Sequence, residues 1–229
     1  DIRLTQIDQH SKIYSSILKR KAHKIGQYNQ DGSEFFKKNL SQYLNLSRGL
    51  QISKNNLLIT RSTEMSIYIA SEILLSKDDT VLVAELSYFS VNMIFQKTGV
   101  NIHSIPIDQD GINVEEVRNI CKKQKIRMLY LTPHHHYPTT VTLSAKRRLE
   151  LLKLAQEYGF IILEDDYDYD FHYDKSPILP LASADTSGMV VYIGSFGKSL
   201  APGFRTGFIV APEDLMIEMR KYLGIIDRQ

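Results

Sequence analysis

The chain has few of the features that mark several classes of protein. Its 229 residues include one cysteine, Cys121, which excludes a disulfide scaffold and favours a reducing compartment. The formal net charge is only +2, so charge gives no argument for nucleic-acid binding by this chain. No apolar run is long enough to span a membrane, and residues 1–4 contain no signal-peptide core. We therefore expect a cytoplasmic protein without membrane contact.

Short apolar runs alternate with segments of helical spacing. Amphipathic helices are predicted over about residues 8–24 and 34–48. Beyond them, strands are predicted at residues 57–60, 81–84, 102–107, 128–131, 160–163, 190–194 and 208–210. Such strands between helices are typical of a mainly parallel sheet covered on both faces. The expected fold class is α/β, a three-layer αβα sandwich, with residues 1–49 as its N-terminal helical segment and residues 50–229 as its large domain.

Polar side chains with useful chemistry follow the predicted strands. Ligands of parallel sheets bind beyond the carboxyl ends of the strands, so the site is expected in the loops after Thr60, Ala84, Leu131, Leu163 and Gly194. The run 160–163 leads into acids and a tyrosine, and the run 190–194 leads into Ser195, Lys198 and Arg205. This set suits pyridoxal phosphate (PLP), which needs an amine for its aldehyde, an anion for its ring nitrogen and donors for its phosphate.

The ring and aldehyde of PLP are assigned to three residues. Lys198 is the amine that forms the imine, and partial burial is expected to keep a useful neutral fraction of it. Asp165 keeps the ring nitrogen protonated, and Tyr167 donates to the ring's phenolic oxygen. Each residue also has a plain alternative, namely a solvated loop lysine, an idle carboxylate at a strand end and a core tyrosine.

The phosphate is assigned to a second group of side chains. Ser195 and Arg205 donate to it, Arg205 in bidentate fashion, and the turn Ser62-Thr63 opens a helix whose N-terminal amides attract anions. Glu64 follows in that turn and repels a phosphate unless its side chain points away.

Further residues of these loops are open to more than one interpretation. Tyr88 is predicted to stack on the ring or to be a core aromatic, and His135 to line the cofactor pocket. The acids between residues 164 and 170 suggest a divalent-cation site as a rival hypothesis. The consecutive histidines 134–136 suggest zinc only weakly, because neighbouring side chains splay apart and no cysteine assists.

From about residue 20 to its end, the chain resembles the class I/II aminotransferase-like domain, of fold type I, found in MocR-type regulators of the GntR family. Residues 164–171 look like the family's Glu-Asp-Asp-Tyr-Asp-Ser-Glu-Phe, and residues 195–207 look like its Thr-Phe-Ser-Lys-Thr-Leu-x-Pro-Gly-Leu-Arg-x-Gly. Residues 132–139 look like its Thr-Pro-Ser-His-Gln-Phe-Pro-Thr, and residues 28–43 look like its opening segment.

The resemblance implies a set of PLP contacts. Carried over by position, these come from Lys198, Asp165, Tyr167, Tyr88, Ser62, Thr63, Ser195 and Arg205. Tyr28 is implied to reach the cofactor of the other subunit in a homodimer. The chain departs from the family pattern where Ser62-Thr63-Glu64 replaces Gly-Ser-Gln and where Gly197, Phe89 and Thr140 replace a serine, a proline and a glycine. These departures weaken the expected phosphate and ring contacts.

The resemblance also implies a function. The chain would hold PLP as an internal aldimine on Lys198 and sense an amino compound or amino acid for a transcription regulator. The alternative is a catalytically active amino-acid aminotransferase of class I/II. The chain begins at Asp1 rather than methionine, and the family's small C-terminal domain and any DNA-binding domain are expected to lie outside it. DNA would be contacted only through such a domain.

Overall fold

The structure, a computed structural model, describes residues 6–25, 32–171, 178–200 and 202–227. Its strands are β1 (Leu57–Thr60), β2 (Thr80–Ala84), β3 (Asn101–Ile105), β4 (Ile107–Asp108), β5 (Gly111–Ile112), β6 (Met128–Leu131), β7 (Ile161–Asp166), β8 (Val190–Ser195) and β9 (Gly207–Val210). Its α-helices are α1 (Ile7–Ile25), α2 (Glu34–Arg48), α3 (Thr63–Leu74), α4 (Phe89–Thr98), α5 (Val114–Lys123), α6 (Ala145–Tyr158), α7 (Leu181–Ala184) and α8 (Glu213–Ile226). Short 3₁₀ turns cover Lys54–Asn56 and Pro202–Phe204.

A seven-stranded sheet in the order β1-β9-β8-β7-β6-β2-β3 forms the middle of the fold. The pairs between β8 and β3 are parallel, whereas β9 runs antiparallel to both β1 and β8. Six strands therefore point in one direction, and the predicted α/β class with a mostly parallel sheet is confirmed. Because β9 is reversed, it begins at the edge where β8 ends, and the segment 202–206 stays at that edge.

Helices cover both faces of the sheet, as an αβα sandwich requires. One apolar core joins the sheet to α3, α4 and α8, and a second joins the opposite face to α5, α6 and α7. On β6, Met128 and Tyr130 belong to the first core and Leu129 and Leu131 to the second, as the two-residue repeat of a strand dictates. A third cluster packs α2 against β1, β8 and β9.

Several boundaries differ from the sequence-based expectation. The strand predicted to end at Leu163 continues as β7 through Asp166, because each acidic side chain that suggested a loop accepts at least one hydrogen bond from a group in the interior. The strand predicted over 102–107 ends at Ile105, and Ile107–Asp108 pairs instead with Gly111–Ile112 in a small hairpin. Among the described residues, no helix has the length and apolar character needed to cross a bilayer.

The close approach of β8 and β9 gives a test of the fold. Gly194 is paired with Phe208, and a Cβ placed on Gly194 would meet the Phe208 ring, with Cε1 at 2.8 Å. We expect Gly194→Ala to lower the free energy of unfolding by about 1–3 kcal/mol, because a packed core resists added volume. Urea denaturation measures this. Gly203→Ala is the control, since its Cβ meets no atom within 4 Å; equal effects of the two substitutions would contradict the packing described.

Candidate functional site

A cavity of about 470 Å³ opens at the edge of the sheet where the parallel strands end. Its lining comes from the segments that follow β1, β2, β6 and β8, from the end of β7 and from residues just before β9. The predicted site residues found in this lining are Ser62, Thr63, Tyr88, Asp165, Tyr167, Ser195, Lys198 and Arg205. The cavity therefore lies where the parallel topology predicts a ligand site, and it contains the side chains that the sequence analysis selected for their chemistry.

Asp165 is a buried carboxylate with one satisfied oxygen. Its side chain lies on β7 and is 3% exposed; Oδ2 accepts a hydrogen bond of 2.8 Å from the Tyr130 hydroxyl. Oδ1 is buried and has no hydrogen-bond partner among the described residues. Burial raises the pKa of Asp165 to about 7, and the charge of Glu64 adds to the rise. A buried acceptor without a partner is costly, so a donor inside the cavity is the expected complement of Oδ1.

Tyr130 is a site residue that the sequence analysis did not identify. It lines the cavity from β6, and burial raises the pKa of its hydroxyl well above the usual value. The hydroxyl therefore stays protonated and is a permanent donor to Asp165. The only signal in the sequence is a phenol within the apolar run Met128–Leu131, and most tyrosines in such runs are ordinary core residues.

Lys198 and Tyr167 lie together on one side of the cavity. The Lys198 Nζ atom is 4.2 Å from the centroid of the Tyr167 ring. The Tyr167 hydroxyl donates to the carbonyl oxygen of His135 at 3.1 Å, and burial raises its pKa, so it remains a donor. The expected partial burial of Lys198 is wrong for this structure, in which the residue is exposed. The loop after β8 lies at the rim, where the described residues leave the lysine open to solvent.

The amino-terminal turn of α3 offers donors for an anion. Ser62 caps the helix by accepting a hydrogen bond of 3.2 Å from the Met65 amide. The described residues provide no hydrogen-bond acceptor for the amides of Thr63 and Glu64, as is usual for the first turn of a helix. Because these residues line the cavity, the turn can bind a phosphate there.

Ser195 and Arg205 lie where β8 ends and β9 begins, beside this turn, because Ser195 pairs with Gly207 and Gly207 packs against the Ser62 backbone. The Ser195 hydroxyl accepts from the Gly197 amide at 3.1 Å. Arg205 has a φ of +46°, a left-handed backbone that a non-glycine residue adopts at a cost of about 1–3 kcal/mol and that clusters at functional sites. The strained backbone places a guanidinium among the lining residues.

Tyr88 and Glu64 contact each other in the lining of the cavity. The Tyr88 hydroxyl lies 3.5 Å from Glu64 Oε1, and its ring meets Tyr137 edge-on at 5.3 Å between centroids. Glu64 therefore points into the cavity, whereas the sequence left its direction open. Tyr137 also lines the cavity and was not singled out from the sequence. Stacking of Tyr88 on a bound ring stays a prediction.

Two predicted residues are not found in the cavity lining. The His135 side chain pairs through Nδ1 with Asp168 Oδ2 at 2.9 Å, so the structure does not bring it into the pocket that it was expected to line. Its contribution is the carbonyl oxygen that holds the Tyr167 hydroxyl. Tyr28 lies outside the described residues.

The acids between residues 164 and 170 do not converge on one point. Consecutive side chains of a strand point to opposite faces, and each acid has its own partners. Glu164 accepts from the Leu181 and Ala182 amides, Asp166 from the Tyr192 hydroxyl, Asp168 pairs with His135 and Asp170 with Arg48. Within the described ranges, no group of three or more His, Cys, Asp or Glu side chains is placed to hold a metal ion.

The donor set of the cavity fits PLP. The unpartnered Asp165 Oδ1 suits a protonated ring nitrogen, and Lys198 supplies an amine on the same side as the Tyr167 phenol. Amide, hydroxyl and guanidinium donors from Thr63, Ser195 and Arg205 suit a phosphate. Glu64 is the one carboxylate in the described lining to which no part of PLP is assigned.

Asp165 gives the cofactor-free protein a measurable pH dependence. Its pKa is raised from 3.8 to about 7 in the folded state, so the unfolded state loses the proton first as pH rises. Between pH 4 and pH 7, the free energy of unfolding of the wild type should fall by up to about 4 kcal/mol relative to that of Asp165→Asn. Above pH 7 the difference between the two proteins should stay constant. Urea denaturation at several pH values checks this. A stability difference that does not vary with pH would contradict the burial of an ionisable Asp165.

Comparison with known proteins adds independent findings. The family model described as aminotransferase class I and II matches residues 11–229. The HTH-type transcriptional regulator TauR of Rhodobacter capsulatus is 32% identical over 173 residues, which are 76% of this chain and 35% of TauR. The aromatic-amino-acid aminotransferase 1 of Thermococcus litoralis is 31% identical over 177 residues, which are 75% of this chain and 42% of that protein.

Solved structures agree with these matches. The kynurenine aminotransferase of Pyrococcus horikoshii superimposes with a TM-score of 0.93 at 28% identity, over 97% of this chain and 56% of that one. The chain thus spans between about a third and just over half of the length of these three proteins. The match over residues 11–229 confirms the resemblance found in the sequence. The chain belongs to the aminotransferase class I and II family, and its cofactor is pyridoxal phosphate.

Proposed function

We propose that the chain is the PLP-holding, effector-sensing domain of a MocR-type transcription regulator. The observation that carries the cofactor role is the unpartnered oxygen of Asp165 in the same cavity as Lys198, Thr63 and Arg205. The regulatory role is supported by the similarity to TauR, which covers 76% of this chain.

Each lining residue has a role in holding the cofactor. Asp165 Oδ1 accepts a hydrogen bond from the ring nitrogen and keeps it protonated, while Tyr130 holds the other carboxylate oxygen. Lys198 would supply the amine that anchors the cofactor, and the Tyr167 hydroxyl would turn from the His135 carbonyl to donate to the phenolic oxygen of the cofactor. Thr63, Ser195 and Arg205 bind the phosphate. When bound, PLP supplies an aldehyde that reacts with amines and a ring that withdraws electrons.

Sensing follows from competition for the aldehyde. An amino compound that enters the cavity would compete with Lys198 for that aldehyde, and the exposed position of Lys198 on the loop after β8 leaves its side chain room to move. In the regulator, this change would be passed to the DNA-binding domain of the whole protein. We further propose a cytoplasmic homodimer, in which Tyr28 approaches the cofactor of the other subunit.

A working aminotransferase is the second candidate function. It is favoured by the similarity to the Thermococcus litoralis enzyme and by the close superposition on kynurenine aminotransferase. In this case the Lys198 amine would also serve as the acid and base that moves a proton of the bound substrate. Lys198 lies on the open side of the cavity, next to the Tyr167 ring, where an incoming amine has access to it.

The anchoring role of Lys198 gives a direct prediction. PLP added to the protein encoded by the complete gene should produce visible absorption, and borohydride should fix one cofactor mass per chain. Lys198→Ala should abolish the fixed mass, because no other described lysine lines the cavity. Lys146→Ala, at a lysine that is 86% exposed on α6, is the control and should retain it. Fixation on Lys198→Ala equal to that of the wild type would contradict the assignment.

The two candidate functions differ in what an amino compound does to the loaded protein. A regulator should show amine-dependent binding to DNA from the region upstream of its own gene, with little keto acid released. An aminotransferase should release one keto acid per cofactor in a single turnover and continue when a keto acceptor is supplied. Gel-shift titration and keto-acid assay on one preparation separate them, and sustained turnover without amine-dependent DNA binding would contradict the regulatory role.

A further inference from the structure

We propose that Glu64 weakens the hold of this site on the phosphate of its cofactor, so that the cofactor exchanges readily and PLP is only slightly preferred over unphosphorylated pyridoxal. This inference rests on the proposed PLP contacts. Glu64 is thus a specificity-determining residue whose charge acts against the group that the site must bind.

The position of Glu64 in the fold puts its carboxylate close to the phosphate seat. Ser62 is the N-cap of α3 and Glu64 is the second residue of the helix, so its own backbone amide is one of the proposed phosphate donors. Its side chain lines the cavity, and Oε1 lies 3.5 Å from the Tyr88 hydroxyl. A phosphate bound to the amides of this turn would therefore be repelled by the Glu64 carboxylate.

Glu64 also competes for the attraction that makes a helix start suitable for an anion. The amino-terminal end of a helix carries a partial positive charge, and an acidic side chain in the first turn is stabilised by it. In α3 that acid is Glu64 itself. The Glu64 carboxylate therefore partly neutralises the positive charge at the start of α3 before a phosphate binds.

The other charges of the cavity do not offset this effect. Arg61 lies in the lining, but its guanidinium donates to Asp227 through two contacts of 2.8 and 2.7 Å. Lys198 is assigned to the aldehyde and Asp165 to the ring nitrogen. Within the described lining, Arg205 is then the principal cation for a phosphate of about two negative charges, and Glu64 opposes it.

The repulsion is large enough to measure. Two unit charges near a protein surface interact by several kcal/mol at contact distance, and partial screening reduces this. We expect Glu64→Gln, which keeps the shape and removes the charge, to tighten PLP binding about tenfold. The same substitution should change the affinity for pyridoxal by less than about twofold, since pyridoxal has no phosphate.

The test is a spectroscopic titration with PLP and, separately, with pyridoxal, using the protein encoded by the complete gene. The matched control is Glu115→Gln. Glu115 is likewise the second residue of its helix, α5, but it is exposed and outside the cavity. Glu115→Gln should leave the dissociation constants of PLP and of pyridoxal unchanged. A higher salt concentration should reduce the difference in PLP dissociation constant between the wild type and Glu64→Gln, because screening weakens the repulsion.

The outcomes separate this inference from the function on which it rests. Selective tightening of PLP by Glu64→Gln supports it. Unchanged or weaker PLP binding overturns it while leaving the cofactor role intact, and equal tightening of PLP and pyridoxal overturns it by showing that the charge acts on the ring. Absence of binding to either compound, by wild type and Glu64→Gln alike, overturns both the inference and the proposed function.

Discussion

The site depends on one buried carboxylate with one free oxygen. Asp165 is held in the protein interior by the Tyr130 hydroxyl on Oδ2, which leaves Oδ1 as an unmet acceptor beside the cavity. Placing a charge there without a second partner is unfavourable, and the pKa of about 7 reflects that cost. A protonated ring nitrogen would supply a donor to Oδ1, so the feature that makes a charge on Asp165 costly also favours PLP.

The sheet makes this placement possible. β7 lies between β6 and β8, so Asp165 has the strand of Tyr130 on one side and, on the other, the strand β8, which leads into the loop of Lys198. The neighbours of Asp165 are fixed by different contacts, since Glu164 binds backbone amides of α7 and Asp166 binds Tyr192. Their partners help to hold β7 in place, and of the three acids only Asp165 lines the cavity.

Much of the architecture could be predicted from the sequence, and the remainder depends on tertiary contacts. Short apolar runs predict the strands, and the sequence motifs place Asp165, Lys198 and Arg205 at their ends. Apolar patterning does not report strand direction, so the reversal of β9 could not be predicted. Nor could the role of Tyr130, which depends on its packing beside Asp165, or the direction of Glu64, which depends on the contact with Tyr88. The expected burial of Lys198 failed because a loop sequence does not reveal what covers it.

The central claim is that Asp165 Oδ1 receives the ring nitrogen of PLP, and a crystal structure of the protein loaded with PLP tests it most directly. The account predicts the ring nitrogen at a hydrogen-bond distance of about 2.7–3.2 Å from Oδ1, with the phosphate at the start of α3 and near Arg205. A ring bound elsewhere, or one whose nitrogen faces solvent while Oδ1 remains without a donor, would contradict it.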